Sequence, residues 1–81
     1  MMFEVKLNSQ PQKFLCKQDK HIYLRLKDGL KKLCEPFKYV EHYEGAYYKF
    51  RIGDYRALLD IDLEKQIVWV RVLEHRRKVY K

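Results

Sequence analysis

The sequence predicts an α+β fold of order β-α-α-β-β-β, with a helical hairpin packed on one face of a small antiparallel sheet. Three observations predict it. Apolar residues recur at helical spacing between Ser9 and Cys34, and they alternate with polar ones between Tyr47 and Leu73. Gly53-Asp54 stands between two of the alternating runs, the signature of a two-residue hairpin. A chain of 81 residues, 47% hydrophobic and 15% aromatic, suits a single domain over 1–81 with one modest core.

Each element follows from local signals. Met2 to Leu7 reads as a first strand, because Phe3, Val5 and Leu7 alternate with Glu4 and Lys6. Ser9-Gln10-Pro11-Gln12 reads as a helix start. Ser9 is placed to cap, Gln12 completes a capping box, and Pro11 stands where its missing N–H costs nothing. This first helix is expected over roughly Gln10 to Lys17. Asp19 caps a second and longer one, roughly Lys20 to Cys34, with Ile22, Leu26, Leu30 and Leu33 on one stripe. Glu35-Pro36 ends it. Phe37 to Gly45 reads as irregular. Strands are then expected over Tyr47 to Ile52, Tyr55 to Ile61 and Gln66 to Leu73, the last two joined by a turn at Asp62-Leu63-Glu64-Lys65.

Two cysteines are too few for a disulfide scaffold. Cys16 falls near the helix junction and Cys34 at the far end of the second helix, about 20 Å away, beyond bridging distance. Both are expected as buried core thiols. No Cys/His spacing suggests zinc, no apolar run approaches a membrane span, and the first residues do not read as a signal peptide. The expectation is a cytoplasmic, reduced protein with no membrane contact.

The hairpin turn fixes register, and register fixes faces. Ile52 is set opposite Tyr55, Phe50 opposite Ala57 and Tyr48 opposite Leu59. The next turn is expected to set Val68 opposite Leu59, Val70 opposite Ala57 and Val72 opposite Tyr55. This apolar face is the one for the helices to cover. On the other face Arg51 opposes Arg56, and Arg56 is expected to oppose Arg71, with Lys49, Leu58 and Trp69 in the neighbouring row. Like charges directly opposite on a sheet destabilise it, and an anion such as phosphate relieves the repulsion. The alternative is that these arginines splay into water or pair with Asp60 and Glu74.

Charge points the same way. Eighteen Lys and Arg against eleven Asp and Glu give a net +7, the electrostatic footprint of a polyanion binder; a solvated Lys-rich surface is the bland alternative. The ending His75-Arg76-Arg77-Lys78-Val79-Tyr80-Lys81 leaves the last strand beside the basic face. His75 is the default general acid or base, Tyr80 can donate a proton or stack on a base, and Arg77 and Lys78 add cations for RNA. A tail that only steers polyanions is the rival reading. His21 and His42 read as structural or surface residues. RNA carries its own nucleophile, the ribose 2′-OH. Its cleavage therefore needs a base, cations on the developing phosphorane and an acid at the 5′ oxygen, and no metal. The carboxylates at the turns, Asp54, Asp60, Asp62 and Glu64, stand among cations and suggest no metal site.

Two motifs carry a resemblance that spans essentially the whole chain. Tyr48-Lys49-Phe50-Arg51-Ile52-Gly53-Asp54-Tyr55-Arg56-Ala57-Leu58 resembles the basic strand, turn and Tyr-Arg strand of the RelE/ParE toxin superfamily, and His75-Arg76-Arg77-Lys78-Val79-Tyr80 resembles its ending. The RelE branch consists of ribosome-dependent messenger-RNA endonucleases. The resemblance thus implies cleavage of message in the ribosomal A site, no cofactor, and silencing by a RelB-like antitoxin. By motif, Lys49 and Arg51 match the strand at the scissile region that helps deprotonate the 2′-OH. Arg56 matches the phosphate-stabilising arginine, His75 and Arg76 the basic pair after the last strand, and Tyr80 the tyrosine that stacks or assists proton transfer. Arg71 has no counterpart, so its RNA-binding role rests on the pairing argument. Glu74 departs from the pattern, which often has glycine there. The ParE branch shares the fold and inhibits DNA gyrase, and a non-catalytic RNA-binding member is a third reading. Lys49, Arg51, Arg56, His75 and Tyr80 together favour the nuclease.

Overall fold

A computed structural model describes residues 2–45 and 47–75, apart from the Glu44 side chain. Strand β1 (Glu4–Leu7) leads to helices α1 (Ser9–Cys16) and α2 (Lys20–Leu30). Two 3₁₀ turns (Lys31–Cys34 and Pro36–Lys38) follow, then strands β2 (Glu41–Glu44), β3 (Tyr47–Ile52), β4 (Tyr55–Asp62) and β5 (Ile67–His75). The five strands form one sheet in the order β1-β5-β4-β3-β2. Arg76, Arg77, Lys78 and Tyr80 lie outside the described residues. No helix among the described residues is long and apolar enough to cross a membrane.

Two features of the sheet depart from the sequence reading. First, β1 runs parallel to β5, with Val5 beside Val68 and Leu7 beside Val70, so the sheet is mixed. Alternation assigns faces to a strand and says nothing of its direction. Second, Glu41–Glu44 forms a strand where an irregular segment was expected. It is short and bulged between His42 and Glu44, which breaks the alternation that would have revealed it.

The helices form largely as their signals predict. Asp19 caps α2 by accepting the Ile22 N–H at 3.2 Å. Ser9, by contrast, is the first helical residue of α1, and Asn8 precedes it without a side-chain cap bond. The Gln12 side chain instead donates to the Leu7 carbonyl at 2.9 Å, tying the helix start to the end of β1. The second helix tightens into a 3₁₀ turn after Leu30, so the expected α-helical run to Cys34 is shorter. Leu26, Leu30 and Leu33 of its stripe are buried against Phe50, Ala57, Leu59, Val68, Val70 and Leu73. At about 25 cal/mol per Å² of apolar area, this burial is the main stabilising term for so small a domain. Gly29 lets α2 approach β3 closely: a Cβ there would lie 2.9 Å from Ile52. Both cysteines are free, but neither is a buried core thiol. Cys16 is exposed at the end of α1 and Cys34 is half-buried in the 3₁₀ turn.

The β4–β5 register also differs from expectation, and this rearranges the open face. The turn comprises residues 63–66, with Gln66 left-handed at φ 56° and Asp62 accepting the Lys65 N–H at 3.0 Å. It therefore closes on the pair Asp62–Ile67, and Leu59 faces Val70. A bulge at Arg71 follows, so Leu58 faces Val72, Ala57 faces Leu73, Arg56 faces Glu74 and Tyr55 faces His75. Arg56 is thus not opposite Arg71, and Val72 turns to the open face while Leu73 enters the core. Beyond the end of β1, the Gln10 carboxamide takes the place of a neighbouring strand. It donates to the Leu73 carbonyl at 3.0 Å and accepts the Leu73 N–H at 2.9 Å.

Candidate nucleic-acid interface

The sheet face away from the helices carries the candidate site. Gly53 has a φ of +58° and Asp54 does not share the positive φ, so the β3–β4 hairpin turns as type II′. Such a turn closes on Ile52 and Tyr55 and sets Arg51 directly opposite Arg56, as the sequence predicts. Lys49 faces Leu58, diagonal to Arg56. Lys49, Arg51 and Arg56 therefore share the sheet face away from the helices, with Arg51 exposed and Lys49 and Arg56 half-buried.

Their surroundings differ. Two guanidinium nitrogens of Arg56, Nη2 and Nε, donate to one Glu74 oxygen at 2.8 and 3.2 Å. Three of its five N–H donors remain for a ligand. The Lys49 ammonium lies 3.7 Å from the exposed Glu41 carboxylate, a loose contact of small energetic weight. Arg51 is exposed and, among the described residues, has no ion pair. Tyr43, the extra residue of the β2 bulge, places its ring centre 5.6 Å from both the Lys49 ammonium and the Arg56 guanidinium carbon. Sequence reasoning missed Tyr43, because the strand that carries it is too short to show alternation.

Arg71 belongs to a separate group. Its Nη2 donates to Asp60 at 3.0 Å, its Nη1 donates to Asn8 at 3.3 Å, and its guanidinium carbon lies 5.1 Å from the centre of Trp69. The Lys6 ammonium lies 5.6 Å from the same ring. The expected row of three arginines is therefore a pair plus a neutralised outlier.

His75 is the last residue of β5 and faces Tyr55, whose neighbour Arg56 points to the opposite side. The His75 and Tyr55 rings meet edge to face at 5.0 Å, and Tyr55 in turn meets Phe14 of α1 at 6.0 Å. The His75 ring thus stands on the helix side of the sheet rather than beside Lys49 and Arg56. His42 donates through Nε2 to the Gly45 carbonyl at 2.8 Å and packs edge-on to Tyr48, a structural role as expected. His21 is exposed on α2. Outside the site, the Glu35 carboxylate at 3.0 Å holds the exposed Lys38 ammonium above its usual range, by hydrogen bond first and by charge second. Among the described residues no group of three or more His, Cys, Asp or Glu side chains gathers to hold a metal ion.

A basic surface of this kind has the chemistry to hold phosphate groups by charge-assisted hydrogen bonds. Comparison with known proteins bears on which molecule carries them. No protein of curated function matches the chain by sequence. Solved structures share its fold over nearly the whole length, among them the following three. The RelBE2 toxin–antitoxin complex of Mycobacterium tuberculosis aligns with TM-score 0.84 at 22% identity, covering 94% of this chain and all of that one. The archaeal RelE–RelB complex of Pyrococcus horikoshii aligns with TM-score 0.79 at 28% identity, covering 94% and 97%. A mutant of the Escherichia coli toxin RelE in its free state aligns with TM-score 0.75 at 20% identity, covering 96% and 87%. The family model described as the ParE toxin of the type II toxin–antitoxin system parDE matches residues 5–79, and the chain belongs to that RelE/ParE family of toxins.

Proposed function

We propose that this toxin is a metal-independent endoribonuclease that cuts messenger RNA in the ribosomal A site in the cytoplasm. The observation that carries this reading is the directly opposed pair Arg51 and Arg56 on the sheet face away from the helices, with Lys49 beside them and, among the described residues, no carboxylate on Arg51. A charge pair of that kind is unfavourable until an anion bridges it.

In this scheme the 2′-oxygen attacks the adjacent phosphorus and the bond to the 5′ oxygen breaks, leaving a 2′,3′-cyclic phosphate and a 5′-OH. Arg51 and the open donors of Arg56 hold the non-bridging oxygens as charge builds on the phosphorane. Glu74 fixes the Arg56 plane, so little reorientation accompanies the reaction. The Lys49 ammonium stabilises the alkoxide that forms as the 2′-OH loses its proton. Arg76 and Tyr80 supply a further cation and the proton for the leaving 5′ oxygen. His75, leaning on Tyr55 at the margin of the site, is the base that takes up the 2′-OH proton. Arg77 and Lys78 extend the contact with RNA.

The cognate partner in this scheme is a RelB-like antitoxin. Solved relatives are found in complexes of RelE with RelB. A net charge of +7 suits an acidic partner, and an apolar hollow lined by Val5, Leu7, Leu15, Tyr23 and Leu30 beside β1 suits its apolar side chains. A second reading, a gyrase inhibitor of the ParE kind, draws support from the name of the matched family.

Induction in a growing bacterial host, wild type against Arg56→Ala, separates the readings. Growth arrest with codon-phased 5′ ends on an abundant transcript, lost in Arg56→Ala, is expected. Arrest with intact messages and induced DNA damage would move the protein to the gyrase reading. Absence of arrest would remove catalysis from the proposal.

A further inference from the structure

Strand β2 pairs with β3 only over Tyr47 to Lys49, so the rest of β3 is an open sheet edge. That edge borders a hollow of about 310 Å³ lined by Lys32, Tyr39, Glu41, Lys49, Arg51 and Gly53, among others. It is framed on one side by the 3₁₀ turn after α2 and on the other by the hairpin turn. Gly29 brings the helix close enough to enclose it.

The hollow is built for an anion in two ways. Three cations, Lys32, Lys49 and Arg51, line it against one carboxylate, Glu41, and neither Lys32 nor Arg51 has an ion pair among the described residues. The Lys32 ammonium rests 5.8 Å from the centre of the Tyr39 ring, which holds it at the wall. The backbone contributes as well. In a type II′ hairpin Ile52 and Tyr55 exchange both of their backbone hydrogen bonds, so the next residue, Arg51, turns its N–H outward to the edge. Among the described residues no carbonyl of the segment across the hollow accepts that N–H; the Tyr39 and Val40 N–H groups fold back on the Pro36 carbonyl, at 3.0 and 3.1 Å, so no ladder to β3 forms there. An unsatisfied edge N–H beside three cations is a phosphate-shaped demand.

We propose that this hollow is a phosphate-binding subsite, taking a phosphodiester of single-stranded RNA that flanks the Lys49–Arg56 cluster. Lys49 and Arg51 border both, so a strand crossing the open face at Arg51 continues over the sheet edge and seats its next phosphate against Lys32. The identification with RNA rests on the ribonuclease reading; the affinity for phosphate does not.

The test titrates the ¹⁵N-labelled full chain with inorganic phosphate, then with a short 2′-O-methyl oligoribonucleotide, which binds but cannot be cut. A saturable shift of the Arg51 amide is expected with both. Lys32→Ala should weaken each by about fivefold or more, the loss of one charge-assisted bond, whereas Lys38→Ala should stay within about twofold. An unmoved Arg51 amide overturns the subsite. Equal weakening by Lys32→Ala and Lys38→Ala overturns it too, since net charge would then explain the binding. A response to inorganic phosphate alone overturns the RNA assignment. Binding of both probes without cleavage of ribosome-bound message would remove the ribonuclease reading and leave the subsite standing.

Discussion

The open face of the sheet has two ends with the same residue types and opposite characters. At one end Arg71 has partners on both arms: Asp60 takes one nitrogen at 3.0 Å, Asn8 takes another at 3.3 Å, and the Trp69 ring centre lies 5.1 Å from the guanidinium carbon. At the other end Arg51 faces Arg56, and only Arg56 has a carboxylate, Glu74 at 2.8 Å. The first end is a finished structural cluster. At the second, Arg51 has no ion pair among the described residues and stands opposite a like charge, which is the condition for binding an anion. Residue type does not distinguish them; strand register does.

The largest effect should come from reversing one charge at each end. Arg51→Glu is expected to lower cleavage of ribosome-bound message by about 10²- to 10³-fold, while Arg71→Glu lowers it less than about threefold, because only the first touches developing charge. Single-turnover rates at saturating enzyme measure both. Equal losses would mean that net charge, not the Arg51–Arg56 pairing, drives the reaction.

That pairing was legible in the sequence because a two-residue Gly-Asp turn leaves one register open. The outer end was not. Asp62, Lys65 and Gln66 permit a turn displaced by one residue, and a bulge at Arg71 leaves no mark on an alternating run of Val and Leu. The core shows the same contrast. Leu26, Leu30 and Leu33 were visible by helical spacing and are buried, whereas Leu73 was exchanged with Val72 by the bulge. The parallel placement of β1 and the clamp from Gln10 to Leu73 depend on contacts more than sixty residues apart, which local pattern does not encode. Within the candidate site, Lys49, Arg51 and Arg56 came from pattern, whereas Tyr43 and Glu74 acquired their places only through the bulges beside them.

Glu74 sharpens the comparison from within the active end. Its carboxylate both orients Arg56 and offsets part of the positive field. Glu74→Gln keeps an acceptor oxygen and removes the charge. The expected outcome is an unequal fall of two constants: KM lower by about two- to threefold as the field strengthens, and kcat lower by about tenfold as the Arg56 plane loosens. Steady-state kinetics on programmed ribosomes reads both. A lower KM with unchanged kcat would assign Glu74 to the field alone and leave Arg56 aimed by packing.

The smallest effect belongs to the Arg71 end. Arg71 and Asp60 are each more than a third exposed on their side chains, so solvent screens the pair. A double-mutant cycle of Arg71→Ala and Asp60→Ala, followed by urea unfolding, should give a coupling of about 0.2–1 kcal/mol. Neither single change should alter cleavage of ribosome-bound message beyond the threefold band set for Arg71→Glu. A coupling above about 2 kcal/mol would place the pair among buried networks and make Arg71 a structural keystone of the bulge. Loss of cleavage in Arg71→Ala with unchanged stability would do the opposite: Arg71 would leave Asp60 for a phosphate when RNA arrives, and the two ends of the face would act as one.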